Sequence, residues 1–70
     1  MLTINLKHIL PKVKITKVDL ISSMSEKHYV AYDMERILEA ADTDEKILAA
    51  IQLVRSEYTG YDITKILENM

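Results

Sequence analysis

The chain has 70 residues, room for one domain and one hydrophobic core but not for a cofactor domain beside a substrate domain. Hydrophobic residues make up 49% of it, and Leu, Ile and Val alone supply 21 side chains, which excludes a disordered tail. The net charge of −2 is unevenly spread: residues 1–30 set Lys7, Lys12, Lys14, Lys17 and Lys27 against Asp19 and Glu26 for +3, whereas residues 31–70 set four cations against nine acids for −5.

Cysteine is absent and only His8 and His28 could act as imidazole ligands, so disulfides are excluded and zinc finds few partners. A core of this size supplies roughly 3–5 kcal/mol. Self-association is the device left to reinforce it, and a homo-oligomer is expected in preference to a monomer. The chain is read as a single domain over residues 1–70. Thr3, Asn5, Lys7 and His8 interrupt the apolar positions that a secretory leader would need in series. The apolar stretch from Ile47 to Ile51 is far too short to cross a bilayer, so a soluble, cytoplasmic protein without membrane contact is expected.

In chain order, Leu2, Ile4 and Leu6 alternate with Thr3, Asn5 and Lys7, the period-two pattern of a strand, here placed over residues 2 to about 9. Pro11 belongs to a connection. A second strand follows, in which Val13 and Ile15 alternate with Lys12, Lys14 and Thr16 before the pattern slips by one to Val18 and Leu20. Residues 22–32 admit two readings. In the preferred one, Ser22, Ser23, Ser25 and Glu26 form a turn and His28 to Tyr32 a third strand, on the β propensity of Tyr29, Val30 and Tyr32. In the other, Thr16 caps a short helix with Asp19 at its third position, and Ser25 caps another.

From Asp33 the period becomes helical. Met34, Ile37, Leu38 and Ala41 form one stripe, and Ile47, Ile51, Val54 and Tyr58 form the stripe of a second helix over residues 44 to about 58, flanked by Leu48 and Ala50. Asp42 is the expected cap of that helix, with Glu45 completing a capping box, and Gly60 its left-handed terminator. Asp62 is then placed to cap a last helix bearing Ile63, Ile66, Leu67 and Met70. The expected fold is therefore α+β, a small N-terminal antiparallel sheet of two or three strands followed by three short helices. No internal repeat, low-complexity tract or linker stands out.

Few side chains suggest chemistry. Ser22, Ser23 and Ser25 stand near His28, but short polar residues between ordered segments are ordinary turn material, and no third group is evident to orient a base. Asp42, Asp44 and Glu45 lack the spacing and internal glycine of a calcium loop and suit the positive end of a helix instead. A lone Gly60 cannot form a phosphate-cradling loop. No catalytic residue, metal or cofactor is assigned, and an enzyme is not expected.

Two binding readings follow. Ala49 and Leu53 project away from the Ile47 and Ile51 stripe, which marks them as a contact for a protein partner or a second copy, and makes the leading expectation a small regulatory or adaptor protein acting by protein–protein binding. Lys7, Lys12, Lys14 and Lys17 could instead hold nucleic-acid phosphates on a basic sheet face, for instance in a ribbon-helix-helix dimer. No aromatic residue interleaves with these lysines to stack bases, and lysine also protects exposed strand edges, so this reading is second.

Overall fold

Thr16 opens the first ordered element, and it opens a helix. Its backbone is extended, and its N–H donates to Asp19 Oδ2 at 2.8 Å, the reach-back of an N-terminal capping pair. The computed structural model describes residues 15–70, and over these it holds four helices: α1 Lys17–Glu26, α2 Ala31–Ala40, α3 Asp44–Arg55 and α4 Gly60–Glu68. No strand occurs among the described residues. Over the described residues the α+β expectation is thus corrected to an all-helical fold. Val18 and Leu20, read as the tail of a second strand, lie in α1, and His28 to Tyr32, read as a third strand, form a turn and the start of α2. The expected strand at residues 2 to 9, Pro11 and the Lys12 to Lys14 segment lie outside the described residues.

The other helix boundaries are also set by local capping. Thr43, not Asp42, is the cap of α3, accepting from the Lys46 N–H at 3.2 Å, while Asp42 pairs with the Lys46 ammonium at 3.3 Å. Thr59, not Asp62, caps α4, accepting from the Asp62 N–H at 3.1 Å. Side-chain caps of this kind contribute about 1 kcal/mol each. Gly60 does not terminate α3: it is the first residue of α4 and has a negative φ. Termination falls to Glu57, in the left-handed region at φ 64°, just as His28 at φ 64° terminates α1.

These two turns are built alike. After α1, the His28 N–H donates to the Ser25 carbonyl (3.1 Å) and the Tyr29 N–H to the Met24 carbonyl (3.0 Å). After α3, the Glu57 N–H donates to Val54 (2.9 Å) and the Tyr58 N–H to Leu53 (3.1 Å). Both are Schellman closures, the left-handed residue followed by one whose amide reaches back to the last full turn. A shift of 29 positions superposes one on the other and brings the sequence into register: Tyr29, Tyr32, Asp33, Ile37, Leu38 and Glu39 recur as Tyr58, Tyr61, Asp62, Ile66, Leu67 and Glu68, with Arg36 matched by Lys65. The chain therefore contains a repeated helical hairpin, α1–α2 and α3–α4, which corrects the reading that found no internal repeat.

The hairpins stack in the same orientation. Helix α1 packs chiefly on α3, and α2 on α4, so each helix lies against its own counterpart, the arrangement of helical-hairpin arrays. The turns stack as well: the Tyr29 hydroxyl donates to the Tyr58 carbonyl, and Lys27 Nζ meets Glu57 Oε2 at 3.0 Å. Between the hairpins lies a core of Leu20, Met24, Ile37 and Ala41 from the first, and Ile47, Ala50, Ile51, Val54, Ile63 and Leu67 from the second. Burying a side chain of the Leu or Ile class contributes about 1.5–3 kcal/mol relative to leaving it in water, and this layer is the main source of stability. Close approach of α4 to α2 depends on Gly60, where a Cβ would stand 2.4 Å from Asp33 Cγ.

Candidate functional site: the two ends of the hairpin stack

Each hairpin has two flanks, and the repeat allows them to be compared residue by residue. The first hairpin meets the second with Leu20 and Met24 of α1 and with Ile37 and Ala41 at the end of α2, all 0% exposed. Their counterparts in the second hairpin are Ala49, Leu53, Ile66 and Met70. These four form the far end of the stack: Ala49 and Leu53 are half-buried, Ile66 is 38% exposed and Met70 57%. Ala49 and Leu53 are the two residues singled out on the helical projection; both are half-buried against the core, and the repeat register groups them with Ile66 and Met70. Sequence reasoning assigned Ile66 and Met70 to the core stripe of the last helix; they belong to its outer flank, and the signal that identifies them is the 29-residue register.

The near end is the mirror case. The second hairpin seals against the first with Ile47, Ala50, Ile51, Val54, Ile63 and Leu67, and their counterparts are Val18, Ile21, Ser22, Ser25, Met34 and Leu38. Val18 is 68% exposed and Ile21 39%, while Met34 and Leu38 are half-buried. An apolar set on the far side and a mixed set on the near side thus flank one sealed interface. Apolar residues exposed singly need no explanation, but a set that occupies the positions of a buried interface does.

Two hollows lie along the edges of the stack. One, about 560 Å³, opens between the stacked turns and is lined by residues including Lys27, His28, Tyr29, Asp33, Glu57 and Tyr58. The other, about 670 Å³, runs beside α2 and α4 past Tyr32, Glu35, Arg36, Glu39 and Glu68. Burial pushes the Tyr29 phenol above its ordinary pKa, with the Glu57 and Asp33 carboxylates adding to the rise and Lys27 opposing it. That phenol is already committed to the Tyr58 carbonyl. Along the second hollow, Arg36 Nη1 donates to the Tyr32 hydroxyl at 2.8 Å and lies 5.5 Å from that ring's centre; Lys65 stands 5.7 Å from the ring of Tyr61 at the equivalent place.

The residues considered for chemistry are not brought together. Ser22, Ser23 and Ser25 lie within α1 rather than in a turn, and no hydrogen bond links any of them to the His28 ring among the described residues. Asp44 and Glu45 occupy the first turn of α3, where they face its positive end. No group of three or more potential metal ligands converges among the described residues. Lys7, Lys12 and Lys14 lie outside the described residues, and Lys17 is exposed in the first turn of α1. No described helix is long and apolar enough to cross a membrane. Comparison with known protein families, with curated proteins and with solved structures returns no match.

Proposed function

We propose that this chain is a non-enzymatic binding protein of regulatory or adaptor type, which engages a protein partner through the far end of its hairpin stack. One observation carries the reading: the four side chains that seal the first hairpin, Leu20, Met24, Ile37 and Ala41, have apolar counterparts at Ala49, Leu53, Ile66 and Met70 that remain half-buried or exposed. In arrays of helical hairpins each unit stabilises its neighbour through such flanks, and an end unit without a polar outer flank is a ready contact surface. On α3 Leu53 is the larger of the two side chains, half-buried against the core, and on α4 Ile66 is 38% exposed. Nothing among the described residues favours the nucleic-acid reading in the same way, since Lys17 is the one lysine of the proposed set within them and acidic side chains line the α2–α4 edge.

The test is a photo-crosslinking residue placed at Ile66 in the cell that makes the protein, with Arg55, exposed on another side of α3, as the control position. An adduct at position 66 that is missing at position 55, and is lost when Leu53→Asp is added to a chain still helical by circular dichroism, is the expected result. Equal labelling at both positions, or none at 66, would remove the reading.

A further inference from the structure

We infer that the partner of the far end is the near end of a second copy of this chain, so that molecules stack head to tail and repeat the interface already present between the two hairpins. The inference rests on the protein-binding reading above and names the occupant. Its ground is that each molecule carries apolar counterparts of both sides of that interface at its ends, with Ser22 and Ser25 standing in place of the buried Ile51 and Val54. Ala49, Leu53, Ile66 and Met70 stand where Leu20, Met24, Ile37 and Ala41 stand inside the chain, and Val18, Ile21, Met34 and Leu38 stand where Ile47, Ala50, Ile63 and Leu67 stand. Val18 and Met70 are more than half exposed. A second copy moved along the stack by one hairpin pair brings the two sets together in the register the chain already uses.

Polar features fit the same register. Inside the molecule the Tyr29 hydroxyl donates to the Tyr58 carbonyl. Between copies the equivalent donor is Tyr58, itself 45% exposed, and the equivalent acceptor is the carbonyl of Tyr29 in the next molecule. The contact between copies is weaker than the internal one on several counts: the buried Ile51 and Val54 map to the polar Ser22 and Ser25, and the buried Thr64 maps to Glu35. The Lys27–Glu57 ion pair maps to Ser56 and His28, which form none, and Gly60 maps to Ala31, whose methyl meets the exposed Asp62 of the neighbouring copy. A reversible, concentration-dependent association is the consequence. Because the two ends differ, the contact is heterologous, and growth does not stop at a dimer unless the rotation closes a ring.

The experiment uses the full chain and two variants, Val18→Asp at the near end and Ile66→Asp at the far end, followed by sedimentation equilibrium. The wild-type mass is expected to rise with concentration beyond that of a dimer. Each variant alone is expected to stay monomeric, and an equimolar mixture to form a one-to-one dimer and stop, because each supplies the end the other lacks. If Ile66→Asp loses its helical signal, Met70→Asp, at a more exposed position, takes its place. A wild-type chain that is monomeric throughout overturns the inference. So does a mass that saturates at a dimer sensitive to the far-end variant alone, which means far end on far end. In either case, crosslinking at Ile66 to a different protein would leave the binding reading standing, so the two failures are distinguishable.

Discussion

The two hairpins share a turn, a register and most of a helix sequence, yet their equivalent residues live in different surroundings. Ile37 and Ile66 are the same residue at the same repeat position, one wholly buried and the other 38% exposed. Thr64 is buried and its hydroxyl donates to the Gly60 carbonyl at 2.9 Å, whereas its counterpart Glu35 is exposed. The difference comes from position in the stack rather than from local sequence: the first hairpin has a neighbour on its far flank and the second has one on its near flank. A helix with the same apolar periodicity can therefore be a core element or an interface element, and the neighbour decides which.

The sharpest way to separate the hairpins is to truncate the matched isoleucines. Ile37→Ala is expected to cost about 2–5 kcal/mol, because it leaves a cavity in a packed layer. Ile66→Ala, by contrast, removes a side chain that water already reaches and is expected to cost roughly 1 kcal/mol or less. Urea midpoints of the two variants, measured at a concentration where the chain is monomeric, would show the gap, and equal losses would contradict the assigned flanks.

Gly60 and Ala31 form the second matched pair. Gly60→Ala places a methyl against Asp33 and is expected to cost about 1–3 kcal/mol from overpacking, offset in part by the better helix propensity of alanine, roughly 1 kcal/mol. Thermal unfolding reads the net sign, and a stabilised variant would show that α2 yields to α4 without strain.

A smaller effect is expected at the caps. Val30 opens α2 with extended backbone and no side-chain bond, while its counterpart Thr59 accepts from Asp62. Val30→Thr should copy the second hairpin's cap into the first and add about 0.5–1 kcal/mol, and Thr59→Val should remove a similar amount. Chemical denaturation of both variants would show whether the caps are interchangeable.

The last predicted effect depends on pH. Folding holds the Tyr29 phenol protonated, while the unfolded chain releases that proton near pH 10.0. The associated stabilisation is therefore fully present below that pH and is lost as pH rises through it toward the higher folded value. Tyr29→Phe is expected to lose about 0.5–1.5 kcal/mol at neutral pH with the hydrogen bond to Tyr58. Stability profiles from pH 8 to 11 should then fall less steeply for the variant than for the wild type, and parallel profiles would remove the phenol from the account.

Some of this architecture could be read from residue order. The helical stripes from Asp33 onward, the break near residues 42–44, the capping partnership of Thr16 with Asp19 and the unusual position of Leu53 are all local patterns in which spacing along the chain maps directly onto spacing in space. The strand assigned to His28–Tyr32 failed because Tyr29 and Val30 have β-type side chains but sit in a Schellman closure, where a left-handed His28 does the work that glycine usually does. Propensity gave no sign of it, and Gly60, the obvious terminator, was needed elsewhere for helix approach.

Residue order alone left open which apolar side chains are core and which are ends. Leu20 and Ala49, Met24 and Leu53, Ile37 and Ile66 are paired by the repeat, and nothing in their immediate neighbours distinguishes a flank that will be covered from one that will not. Burial is a property of two surfaces meeting, and the stacking of the second hairpin on the first settles it.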